Sequence, residues 1–228
     1  MLTKNNYHTF INIPTALKLI GIIAGVWALL MVVTTTLSYL PGHPDFSIFT
    51  TYLSDMSDTE KTLGWPPIIW NSGTLIAVPL RYLVLALLVM RLRQLGAGKA
   101  FTIAILIVGF FSTAGTALLT ALPFTVSPTI HKTGIGLYFF GVVVLQTIIF
   151  IKEWSLKNIP RSLPLLSLAM VILYFVFVTL VVLYEQGVVS RATPVIWEWL
   201  AFLSSVVWVF TQSIILGRAV SPPEGILP

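Results

Sequence analysis

Six continuous apolar stretches, each about as long as a bilayer is thick, constrain this chain more than any other feature. A hydrocarbon core near 30 Å needs roughly 20 apolar residues per helix, and stretches near 16–40, 67–90, 101–122, 130–151, 163–184 and 194–216 meet that length. Lipid offers no hydrogen bonds, so each backbone amide must find an internal partner, which leaves helices or closed barrels. Barrel strands alternate apolar and polar residues over about ten positions. Here runs such as Val142-Val143-Val144-Leu145 are unbroken. The expected fold class is therefore all-α: a polytopic membrane protein, one bundle of six transmembrane helices forming a single domain over residues 1–228.

Composition agrees, with 57% hydrophobic residues and only 9% charged ones, against roughly 25% charged in soluble domains. Cysteine is absent, which excludes disulfides and thiolate metal sites. The net charge of +5 contains no basic run, so no nucleic-acid partner is expected. The polar start Thr3-Lys4-Asn5-Asn6 and the length of the first stretch read as a signal anchor rather than a cleaved leader. Punctuation falls between the spans: Pro41-Gly42, Pro66-Pro67, Gly96-Ala97-Gly98, Pro123 with Pro128, Pro160 with Pro164, and Pro194.

Lysine and arginine in short loops set orientation. Lys4, Lys18, Arg91, Arg93, Lys99, Lys152, Lys157, Arg161 and Arg218 lie on one side, and only Lys61, Lys132 and Arg191 on the other. Both termini are expected inside, with Asp45, Asp55, Asp58 and Glu60 in the first outer loop. No fixed-period or inverted repeat is evident, which weighs against many transporter folds.

Polar residues within the spans are the informative ones, because they are costly there. Gly109, Ser112, Thr113, Thr116 and Thr120 form a small-residue stripe in the third span suited to close helix packing. Gly21 and Gly25 in the first span are the same device and a possible helix–helix oligomer contact. The fifth span, almost without polar residues, reads as facing lipid over much of its circumference. Glu198, Ser205 and Gln212 share one face of the sixth span. Asp55, Asn71, His131 and Glu198 all fall at the outer ends of their elements, so they can converge. Two readings fit that cluster: a network tying helix ends to the outer loop, or a pocket for a polar headgroup or catalysis. In the second, His131 is the proton-transfer or phosphate-contacting group, oriented or neutralised by Glu198, with Asn71 supplying a neutral hydrogen bond. The three histidines, His8, His43 and His131, show no metal-ligand spacing, and neither a metal nor a cofactor is expected. Ser54-Asp55 beside His131 has triad letters only by easy coincidence. Arg81, deep in the second span, costs about 2.5–3.5 kcal/mol if unpaired. Its expected role is a buried bond, with Gln146 and Gln212 as acceptors, or contact with an anion or lipid phosphate on the cytoplasmic half.

Tyr52-Leu53-Ser54-Asp55-Met56 with Pro66-Pro67-Ile68-Ile69-Trp70-Asn71-Ser72-Gly73, His131-Lys132-Thr133-Gly134 through Phe140 with Gln146, and Glu198-Trp199 occur in the order in which the DRAM/FRAG family carries similar segments. The chain resembles that family over nearly its whole length. The family covers damage-regulated autophagy modulators, GPI-anchor lipid remodelling proteins and the N-terminal part of a yeast cell-wall-biogenesis protein, and a related prokaryotic six-span family shares the first two motifs. Met56-Ser57-Asp58 stands where members usually place a glycine, and Trp70 where they place phenylalanine. The resemblance implies a multi-pass membrane protein that handles lipids. Two activities follow from it: a non-enzymatic protein that binds or organises membrane lipids, or an intramembrane acyltransferase or hydrolase using His131 with Asp55 or Glu198.

Overall fold

The computed structural model describes residues 12–59, 62–121 and 127–218. Lys4, His8, Glu60, Lys61, Leu122 and Pro123, used above, lie outside the described residues. Six helices follow in order: α1 (Ile13–Tyr39), α2 (Trp65–Gln94), α3 (Lys99–Ala121), α4 (Pro128–Ser155), α5 (Ser162–Glu185) and α6 (Ala192–Leu216). Each is long and apolar enough to cross a membrane, and no strand occurs among the described residues. Short 3₁₀ turns at Leu40–Gly42 and Ser54–Ser57 lie in the connection from α1 to α2.

Local chemistry accounts for the ends. The Asn12 side chain accepts from the Thr15 backbone amide at 3.3 Å and caps α1, satisfying an amide that has no partner within the helix. Prolines occupy the first turns of α1, α2 and α4, where the missing amide hydrogen is harmless. Gly96, at φ 106°, reverses the chain between α2 and α3, a conformation that other residues adopt only with strain. The helices run past the apolar stretches: α2 has 30 residues, about 45 Å at 1.5 Å per residue, so it tilts or projects beyond the hydrocarbon.

Sequence neighbours pack side by side from α1 through α6, α6 closes back on α1, and α2 also touches α6. The bundle has two ends. One, the terminal end, holds the start of α1, the end of α6 and the α2–α3 and α4–α5 turns. The other, the lid end, holds the long α1–α2 connection. Backbones come closest between α3 and α4, where a Cβ on Gly134 would lie 2.7 Å from the Leu119 nitrogen and one on Gly115 2.6 Å from the Tyr138 nitrogen. The stripe on α3 thus serves helix packing, with Gly109, Ser112, Thr116 and Thr120 buried and Ser112 Oγ donating to the Tyr138 carbonyl. Exposed Leu165, Ile172, Phe175 and Val182 leave much of α5 open to lipid.

Gly21 and Gly25 pack within the molecule. Both are buried against α6 of the same chain, where added Cβ atoms would overlap Ser213 and Phe210. The small-residue face of α1 at Gly21 and Gly25 is thus used for packing against α6.

Candidate functional site

At the lid end the α1–α2 connection folds back over the bundle and is fastened mainly to α6. The Glu198 carboxylate accepts from the Leu53 backbone amide at 2.6 Å and from Ser54. At the next residue of α6, Trp199 Nε1 donates to the Thr51 carbonyl at 2.9 Å. Arg191, just before α6, forms an ion pair with Asp55, donates to the Thr50 carbonyl and lies 4.8 Å over the Tyr52 ring. Asp55 also accepts from the Tyr52 amide, and its carbonyl accepts from Thr62 Oγ1. From α2, Asn71 Nδ2 donates to the Ser57 carbonyl at 3.2 Å. Beneath these bonds Leu53 and Met56, 3% and 0% exposed, pack with Val32, Tyr39, Val195 and Trp199. The segment is a lid with its own apolar plug.

The charges are matched to that task. Burial pulls the Arg191 guanidinium down, but the hydrogen bond and charge of Asp55 outweigh it and hold it above its ordinary value. Burial, then the charge of Glu198, pushes the Tyr52 phenol up to about 12, so it stays a neutral donor to the Arg191 carbonyl.

The structure therefore gathers Asp55, Asn71 and Glu198 around the lid. His131 heads α4, which packs against α3 and α5. Glu198 accepts from Leu53 and Ser54. His43 stacks on the Tyr39 ring at 3.7 Å. Among the described residues no three histidine, aspartate or glutamate side chains gather as a metal site would require.

Arg81 has partners inside the bundle, though not those expected. Its Nη1 donates to Thr116 Oγ1 at 3.0 Å, and its guanidinium carbon lies 5.1 Å over the Tyr138 ring. Side chains on a helix lean toward its N-terminus, which for α2 is the lid end. The head group thus reaches Thr116, five residues before the end of α3, and lies in the lid-end half rather than the half that Gln146 and Gln212 would have required. Beside it the Tyr138 hydroxyl meets that of Tyr174 at 3.0 Å, and Tyr174 meets Ser205 Oγ at 2.6 Å.

A third polar group lies at the terminal end, and sequence reasoning missed it. Glu153 is 0% exposed, accepting from Gln212 Nε2 at 2.7 Å and Ser167 Oγ at 3.1 Å. Trp208 Nε1 donates to Ser167 in turn. Nearby, Arg91 closes the end of α6 by donating to the Leu216 and Arg218 carbonyls. The Gln146–Glu153 spacing of seven residues on α4 was the available signal, since it puts both on one face.

Six apolar helices, a polar lid hung on their ends and a charged residue held within the bundle define a multi-pass α-helical membrane protein. The sequence matches the Frag1/DRAM/Sfk1/Cwh43P N-terminal domain over residues 16–216, and the chain belongs to that family. No curated protein and no solved structure gave a match.

Proposed function

We propose that this protein binds or organises membrane lipids and performs no catalysis. The observation that carries this reading is the engagement of Glu198 and Asp55. Both carboxylates accept backbone amides of the α1–α2 connection, and Asp55 is paired with Arg191. A general acid or base must be free to meet substrate; these two hold a lid. With no soluble domain among the described residues, a ligand is met in or against the bilayer. Membrane-facing clefts support the same reading. One of about 320 Å³ lies between α1 and α2 beside Trp27 and Gly73. Another of about 430 Å³ lies between α3 and α4 beside Phe111 and Gly136. Both are lined mostly by apolar side chains, a lining that suits acyl chains. The lid end faces outward in this proposal, following the basic residues concentrated at the terminal end. Within it His131, with Asp55, Asn71 and Glu198, forms the polar rim that a headgroup would meet.

The test is quantitative lipid mass spectrometry on protein purified through successive detergent washes. Intact lipid should remain bound in near-integer ratio to protein. Loss of all lipid during washes that leave the protein folded contradicts the proposal.

A further inference from the structure

The ring of polar side chains across the lid-end half of the bundle has one unspent capacity. Five helices contribute one residue each: Arg81, Thr116, Tyr138, Tyr174 and Ser205. Their protons can be counted. Ser205 Oγ donates to the Ala201 carbonyl, so in the 2.6 Å contact with Tyr174 the tyrosine is the donor. Tyr174 has only one proton, so Tyr138 donates to Tyr174. Thr116 donates to the Ser112 carbonyl and accepts from Arg81. Every hydroxyl proton in the ring is committed.

Arg81 is the exception. A guanidinium has five N–H donors and no acceptor, and only Nη1 makes a hydrogen bond with a described residue. Nε and Nη2 make none, and no carboxylate pairs with Arg81 among the described residues. The Nε–Nη2 edge presents two parallel N–H bonds, the geometry that takes a phosphate or carboxylate in bidentate fashion. Thr116 and the Tyr138 ring fix the guanidinium plane, so the donor edge is already oriented before any ligand arrives. The side chain is partly exposed rather than sealed. Thr116 stands five residues from the end of α3, about 8 Å along the axis, a depth that a headgroup reaches from the interface. Charged residues within a membrane bundle mark ligand or ion sites by default.

We propose that Arg81 is an oxyanion site, its Nε–Nη2 edge taking the phosphate of a lipid headgroup while Thr116 and Tyr138 hold the guanidinium in place. This rests on the lipid-binding reading and names the ligand class it takes. The experiment measures affinity for short-chain phosphatidylglycerol, for the matching phosphate-free diacylglycerol, and for inorganic phosphate, using delipidated full-length protein. Wild type should bind the phospholipid at least tenfold more tightly than the diacylglycerol, and inorganic phosphate should compete. Arg81→Gln should lose at least tenfold in phospholipid affinity. Arg81→Lys, which keeps the charge without the fork, should fall between, and Thr116→Val should lose severalfold by freeing the guanidinium. Binding of inorganic phosphate alone, lost in Arg81→Gln, supports the oxyanion site and removes the lipid as its source. Equal affinity for phospholipid and diacylglycerol with no phosphate binding, or undiminished affinity in folded Arg81→Gln, overturns the site. If Arg81→Gln does not fold, Thr116→Val decides, and unchanged affinity there overturns the proposal.

Discussion

Glu198→Ala should release the lid without unfolding the bundle. The substitution removes the acceptor of the Leu53 amide, held at 2.6 Å, and of Ser54. A hydrogen bond to a charged group contributes about 1.5–3 kcal/mol, and a buried donor left unpaired costs about 1–3 kcal/mol. These are two views of the same loss, so the expected destabilisation of the closed lid is about 2 kcal/mol. At 1.4 kcal/mol per factor of ten, that raises the open population about 30-fold. The Asp55–Arg191 pair and the Trp199 bond to Thr51 remain, so the open state stays a minority. Because the chain has no cysteine, Met56→Cys places one thiol at a position that is 0% exposed. Its maleimide-labelling rate under native conditions reports lid opening. The rate should rise roughly 30-fold in the Glu198→Ala background, and less in Glu198→Gln, which keeps a neutral acceptor at about half the strength. A rate unchanged within twofold in both would show that Glu198 does not fasten the lid.

Gly134→Ala should cost about 1–3 kcal/mol through overpacking, because its Cβ would meet α3 backbone at 2.7 Å. Gly136→Ala, with nothing within 4 Å, should melt in detergent within a degree or two of wild type; equal behaviour of the two variants would contradict the α3–α4 packing. For orientation, Thr59→Cys should label with an impermeant reagent in intact cells and Lys157→Cys should not; the reverse pattern would invert the topology.

The spans were legible because bilayer thickness demands a length of apolar residues that few other folds show, and the six helices fall on the six stretches. Their ends were less so. Pro66 and Pro164 mark the beginnings of α2 and α5 yet lie inside them, since proline is tolerated in a first turn. Asp55, Asn71 and Glu198 were legible as polar residues on one side, but their partners are largely backbone groups of the lid, which carry no sequence signature. Depth along the axis pointed Arg81 toward Gln146 and Gln212, whereas side-chain lean carries the guanidinium to Thr116 and Tyr138. Glu153 lies two residues past the expected end of the fourth span at 151, whereas α4 continues to Ser155 and turns it inward to Gln212 and Ser167. Tyr138 and Tyr174 were not singled out as polar residues in the sequence, and only their hydroxyl contacts reveal the ring they complete.

The central claim, that the lid-end carboxylates fasten a lid on a lipid-binding bundle rather than transform lipid, is tested most directly by turnover. Purified protein incubated with isotope-labelled phospholipids and glycosylphosphatidylinositol lipids should return them chemically unchanged, with no hydrolysed or acyl-exchanged product above that of the Asp55→Asn/Glu198→Gln double variant. Product formed by wild type and abolished in the folded double variant would contradict it and make those carboxylates catalytic.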